Sequence, residues 1–192
     1  MKVVILAGGY GTRLSEYTDV IPKPMVKIGG EPILKHIMNI YSNYGFKDFY
    51  IALGYKSEVI KEYFYNYGIL NSDFKINLSN GEVKPYEKSK KDWNIHLINT
   101  GINTMTGGRI KRVEKYLDKK DNIFCLSYGD GLSDVNINEL IKFHKKNNKI
   151  VTLTAVKYKN PKGVLDIKTN LKISAIKEKP IEGNIGIAHT RW

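Results

Sequence analysis

Short branched apolar runs alternate with stretches of helical periodicity along most of this 192-residue chain, and no other feature limits the possible folds as strongly. Residues 3–6 (VVIL) read as a buried parallel strand. In "EPILKHIMNIYSNYG", Ile33, Ile37, Ile40 and Tyr44 recur at helical spacing with Leu34, Met38 and Tyr41 beside them, and Gly45 stops the helix. "DFYIALG" then reads as a strand and "KSEVIKEYFYNYG" as a second helix. This βαβα order favours a parallel sheet with helices on both faces. "FKINLS" and "NIHLINTG" alternate as two further strands. Helix "GGRIKRVEKYLDK", strand "NIFCLSYG" and helix "NINELIKFHKKNN" follow, the last starting near Asn136. "VTLTAVKY", "GVLDI" and "KISAIKEK" are strand-rich, with antiparallel hairpins expected at residues 160–163 and 169–170. Residues 80–92 are polar and loop-like, suited to an excursion over a site.

The length fits one domain with a sizeable core, and 42% hydrophobic content fits a folded globular chain. The apolar runs are too short to span a bilayer, so membrane insertion is not expected, and no apolar leader follows Met1. The single cysteine, Cys125, sits in an apolar run and is expected to be a buried small hydrophobe in a cytoplasmic protein. A net charge of +12 invites a nucleic-acid partner. The lysines, however, are scattered near helix ends and loops, without an arginine-rich stripe, aromatic RNA motif or cysteine finger, so nucleic acid is not an expected partner. His36, His96, His144 and His189 lie on separate elements and make no metal signature.

Four stretches carry chemistry. The chain opens "MKVVILAGGYGTRL", where Gly8, Gly9 and Gly11 remove side-chain bulk at a strand end, so that backbone N–H groups can approach phosphate oxygens. Thr12 adds a hydroxyl and Arg13 a charge. A tight turn in an ordinary α/β core is the alternative, and the spacing fits neither GxGxxG nor a P-loop. In "PKPM", flanking prolines restrict the backbone of Lys23. In "CLSYGDGLSD", Asp130 ends a strand between Gly129 and Gly131, where a carboxylate is suited to a divalent cation; Asp134 is a weaker metal candidate or a cap for the next helix. In "IKEKP", Glu178 and Lys179 end the last strand, either to hold a phosphorylated, hydroxylated substrate or as an exposed ion pair. Arg13, Asp130 and Lys179 should reach one rim, with Lys23 joining from the first loop. That set suits phosphoryl-group chemistry.

Together, "LAGGYGTRL", "PKPM", "IGGEPILKHIM", "IALGYK", "NTGINTMTGGRIKRV", "YGDGLSDVNI", "LTAV" and "EKP" resemble the sugar-1-phosphate nucleotidyltransferase family over residues 1–182. "TMTGGRIKR" and "YGDGLSDVNI" favour its cytidylyl branch, acting on glucose 1-phosphate. The resemblance implies a Rossmann-like nucleotidyltransferase fold, with a mixed, mostly parallel sheet and flanking helices. It implies transfer of a cytidylyl group from CTP to glucose 1-phosphate, giving CDP-glucose and pyrophosphate with Mg²⁺ as cofactor. By the same resemblance Leu6, Ala7, Gly8 and Gly9 line the cytosine and ribose, and Gly11, Thr12 and Arg13 meet the phosphates. Lys23 stabilises the α-phosphoryl group and the leaving pyrophosphate. Thr106, Gly107 and Arg109 contribute to the nucleotide or sugar wall. Asp130 holds Mg²⁺, and Glu178 and Lys179 hold the glucose hydroxyls and the 1-phosphate. Homo-oligomers are common among members.

After residue 182 the chain departs from the family pattern, which continues with a glycine- and apolar-rich strand and a further magnesium-binding aspartate. The expectation is therefore an incomplete nucleotidyltransferase domain over residues 1–182, a divergent tail over 183–192, and turnover below that of a full-length relative. Transfer from UTP or dTTP, transfer to another sugar, and nucleotide binding without turnover are the competing readings.

Overall fold

The computed structural model describes residues 1–11, 20–87, 91–118, 120, 122–155, 163–167 and 173–178, the last two segments as backbone only. Strands β1 (Lys2–Ala7), β4 (Asp48–Leu53), β7 (Asn94–Asn99) and β8 (Phe124–Tyr128) form one four-stranded sheet in the order β7-β4-β1-β8, while the two-residue strands β2 (Lys27–Ile28) and β3 (Glu31–Pro32) pair antiparallel outside it. Every pairing is parallel, with Val3 opposite both Phe49 and Cys125. The chain builds outward from β1 through β4 to β7, then returns to the other side of β1 as β8. The strand order thus reverses between β1 and β8, where open α/β sheets bind ligands beyond their carboxyl ends.

Side chains alternate faces along each strand, and the core divides accordingly. Val3, Ile5, Phe49, Ile51 and Leu53 pack on one face with residues of helices α1 (Ile33–Asn43), α2 (Ser57–Tyr65) and α5 (Ile137–Asn147). Val4, Leu6, Tyr50, Ala52 and Leu126 pack on the other with Ile110 and Val113 of α4 (Thr106–Glu114). Because β1 is buried on both faces, it reads as a continuous apolar run. α1 buries Leu34, Ile37, Met38 and Tyr41, one face at helical spacing. Each fully buried Ile, Leu or Phe contributes about 1.5–3 kcal/mol.

Residues 56–68 form α2 and a separate turn α3 (Tyr67–Leu70), not one helix. The reading of residues 80–92 as loop is corrected in part: β6 (Glu82–Pro85) pairs antiparallel with β5 (Phe74–Asn77), turning through Gly81 at φ +73°. Only Val83 of β6 carries strand propensity, so the hairpin had little sequence signal. The helix expected to reach residue 119 stops at Glu114 in tight turns that bond Tyr116 N to Val113 O and Leu117 N to Glu114 O. Residues 151–155, expected to begin a strand, carry no regular structure. β9 (Gly163–Ile167) and β10 (Ile173–Glu178) pair antiparallel, as a hairpin at 169–170 requires, while the turn expected at 160–163 lies largely outside the described residues. Asn136, not Asp134, caps α5, its Oδ1 accepting from Glu139 N at 3.1 Å.

Cys125 is buried, and burial pushes its thiol up to about 11. His96 stacks on Tyr50 at 4.1 Å, His36 bonds Ile28 O and His144 bonds Thr152 Oγ1; His189 lies outside the described residues. Among the described residues no group of three or more His, Cys, Asp and Glu is placed to hold a metal ion by itself, and no helix is long and apolar enough to cross a membrane.

Candidate functional site

A cleft opens over the carboxyl ends of β1 and β8, at the strand-order reversal. Leu6, Ala7, Gly8, Gly9 and Gly11 line its β1 side, Lys23 and Asp130 its β8 side, and Thr106 its far wall, with Arg109 beneath. Sequence residues up to 124 positions apart meet here, from Leu6 to Asp130. Gly107 lies in the first turn of α4. Thr12, Arg13 and Lys179 lie outside the described residues, and Glu178 ends β10, described as backbone only.

Lys23 opens a single 3₁₀ turn, Lys23–Met25, entered through extended Pro22 at φ −68° and ψ 144°. Met25 N bonds Pro22 O at 2.8 Å, and Pro24 and Met25 are buried, so the turn is anchored on both sides of the lysine. On the facing strand, Gly129 N donates to Leu6 O at 2.8 Å. A Cβ on Gly129 would stand 3.0 Å from both Leu6 O and Pro24 Cγ. This glycine thus lets β8 close onto β1 and onto the proline beside Lys23. The result is a contact of 2.5 Å between Lys23 Nζ and Asp130 Oδ2, with side chains 26% and 29% exposed. One cation and one carboxylate share the cleft mouth, both accessible to a ligand.

The opening glycines divide by role. Gly8 O accepts from Tyr55 N at 3.1 Å and from Arg109 Nη2 at 2.8 Å. A Cβ on Gly8 would lie 2.2 Å from Arg109 Nη1, so Gly8 makes room for the chain's own arginine. Gly11 turns the chain at φ +69°. Gly9 is exposed, and a Cβ there would meet nothing within 4 Å. Close approach of phosphate to backbone, the reason suggested for all three, therefore fits Gly9 best.

Arg109 departs furthest from its expected role. It is 5% exposed. Nη1 donates to Leu53 O, Thr100 Oγ1 and Gly101 O at 3.1, 2.7 and 2.7 Å, while Nη2 donates to Gly8 O and Ile102 O at 2.8 and 3.0 Å. These acceptors cap the ends of β1, β4 and β7, so the guanidinium ties three strand ends into one floor instead of presenting itself as a nucleotide wall. Burial, then the neighbouring Arg112, lowers its pKa, yet a guanidinium stays charged. Its hydrogen-bond partners here are carbonyls and a hydroxyl, so the floor keeps a positive field that favours anions. Arg112 Nη1 adds bonds to Thr100 O and Thr104 Oγ1, both at 2.5 Å. Met105, at the α4 N-cap, makes no side-chain capping bond, and Thr106, the first residue of the helix, lines the cleft.

Magnesium fits this donor set. It is commonly held by one or two carboxylates plus substrate phosphates, and Asp130 offers a hard, accessible oxygen at the strand end.

A cleft of this composition, at the switch point of a parallel sheet, suits a metal-complexed polyphosphate. The nucleotidyl transferase family model matches residues 2–189, and the chain belongs to that family. Glucose-1-phosphate cytidylyltransferase of Salmonella typhimurium is 50% identical over 180 residues, which cover 94% of this chain and 69% of that relative. Mannose-1-phosphate guanyltransferase of Yarrowia lipolytica is 34% identical over 189 residues, covering 95% of this chain and 46% of its own length. Among solved structures, HddC from Yersinia pseudotuberculosis, complexed with GMP-PN, is similar with a TM-score of 0.67 at 26% identity, covering 98% of this chain and 72% of that one.

Proposed function

We propose that the chain transfers a cytidylyl group from CTP to glucose 1-phosphate, giving CDP-glucose and pyrophosphate. The observation that carries this reading is the meeting of Lys23 and Asp130 at 2.5 Å over the β1–β8 switch point. The choice of base and sugar rests on the 50% identity to the Salmonella enzyme.

In the reaction an oxygen of the sugar phosphate bonds to the α-phosphorus of CTP, in line with the departing group. The bond from that phosphorus to the bridging oxygen breaks, and its electron pair leaves with pyrophosphate. The nucleophile is already an anion, so no side chain need remove a proton. What the chain must do is hold two anions together, which is a task of positioning and charge. Lys23 stabilises charge on the α-phosphoryl group and the leaving pyrophosphate. Asp130 holds the divalent ion that nucleotidyl transferases generally use. When bound, that ion supplies charge neutralisation at the phosphate oxygens. Asp130 would serve that ion only by giving up its present contact with Lys23, which would leave the ammonium to the phosphates.

Gly9 admits the nucleotide beside Leu6, Ala7 and Gly8, while Gly11, Thr12 and Arg13 meet the phosphates. The α4 end at Thr106 and Gly107 faces the anion. Arg109 contributes through the floor it ties together. Glu178 and Lys179 hold the glucose hydroxyls and the 1-phosphate.

Pyrophosphate release from CTP, UTP, dTTP and GTP, each with glucose 1-phosphate and mannose 1-phosphate, tests the proposal. CTP with glucose 1-phosphate is expected to be fastest by about tenfold or more. A preference for another pair overturns the assignment.

A further inference from the structure

The two loops that bound the cleft are tied together twice. At the floor, one nitrogen of Arg109, Nη2, donates to Gly8 O and to Ile102 O. At the mouth, two residues beyond Gly8 and one beyond Ile102, Tyr10 Oη donates to Asn103 Oδ1 at 2.7 Å. The lower tie is buried at Gly8 and partly buried at Ile102. The upper one is exposed, with Tyr10 at 45%, and both of its residues line the cleft.

Tyr10 stands between Gly9 and Gly11, in a loop whose backbone is intrinsically the most permissive in the site. Its ring rests on Tyr55 at 5.2 Å, and Tyr55 in turn carries Lys56 Nζ at 5.5 Å from its ring centroid. Tyr55 N also binds Gly8 O. The tyrosine is therefore braced from behind while its hydroxyl spans the opening. An exposed hydrogen bond of this kind adds little to folding, because water replaces it when it opens. It does fix the separation of two loops that a ligand must enter between, and preorganisation of that kind appears as affinity.

We propose that Tyr10 and Asn103 form a clasp that sets the width of the nucleotide cleft, making both of them positioning residues for the nucleotide. The proposal rests on the cleft being the CTP site. It assigns no contact with reacting atoms to either side chain; they act through the glycine loop and through residues 102–105.

Calorimetric titration of Mg²⁺–CTP into the 192-residue chain, Tyr10→Phe, Asn103→Ala and the double variant tests it. Tyr10→Phe keeps the ring on Tyr55 and removes only the hydroxyl. Each single variant is expected to bind CTP about three- to tenfold more weakly, the worth of one hydrogen bond. The double variant should be no weaker than either single, since the bond is lost only once. The thermal midpoint should stay within about 2 °C of the parent, as loss of one exposed hydrogen bond requires, so that a fall in CTP affinity reports on the cleft and not on folding. Single variants that bind as tightly as the parent overturn the clasp, as does a double variant whose loss is the product of the two singles. A parent that binds GTP or UTP but not CTP defeats the cytidylyl assignment alone, and the same four titrations with that nucleotide then decide the clasp. A parent that binds none of them overturns both.

Discussion

The turn after β1 and the turn after β8 both place glycines at the rim of the cleft, and in each turn the inner and outer glycines serve different ends. Gly8 leaves room for Arg109, and Gly129 leaves room for Leu6 O and Pro24. Gly9 and Gly131, the outer pair, would carry a Cβ into space empty to 4 Å. The inner glycines close the protein onto itself; the outer ones leave the rim open to a ligand. The two turns differ in what the inner glycine faces. Gly8 meets a buried cation bonded to three strand ends, whereas Gly129 meets one carbonyl and a proline ring that can shift slightly. A glycine-rich strand end thus combines a packing requirement with an approach requirement, and neighbouring glycines need not share a role.

Substitutions can separate these requirements. The largest loss is expected for Arg109→Lys. A lysine head supplies three donors in tetrahedral array and cannot span five acceptors on three strand ends, so denaturant unfolding should show a loss of about 3–4 kcal/mol. Gly8→Ala should follow, at about 2–3 kcal/mol by the same measurement, because the guanidinium is held by its bonds and Gly54 N is also only 2.9 Å away. Gly129→Ala, whose contacts begin at 3.0 Å, should lose about 1 kcal/mol. If Gly8→Ala and Gly129→Ala prove equally mild, the distinction between the two turns fails. The smallest effect on folding belongs to Gly9→Ala, within about 0.5 kcal/mol, while its CTP affinity should fall about fivefold or more as a methyl enters the phosphate approach. Unchanged affinity would return Gly9 to an ordinary turn residue.

The sheet was largely legible because β1, β4 and β8 are apolar runs of strand length and α1 and α5 keep strict helical spacing. Lys23 and Asp130 were legible as well, one fixed by prolines and the other by its place at a strand end. The division among Gly8, Gly9 and Gly11 was not, because it depends on which side chain arrives opposite each glycine. Arg109 reaches Gly8 from 101 residues away and Leu53 from 56, and only the assembled sheet brings those carbonyls together. A basic residue in "GGRIKR" gave no sign that it would be buried. Tyr10 and Asn103, 93 residues apart, were hidden for the same reason. β6 was missed because its pairing to β5 is carried by backbone bonds and little apolar pattern.

The most direct test of the site is turnover of Lys23→Ala, measured as pyrophosphate release at saturating CTP, glucose 1-phosphate and Mg²⁺, with CTP binding followed in parallel. Turnover should fall by about 10²-fold or more, the usual effect of losing one electrostatic contact aimed at the transition state, while CTP still binds. A variant whose turnover stays within about threefold of the parent would contradict the role of Lys23, and with it the assignment of the β1–β8 cleft as the centre of phosphoryl chemistry.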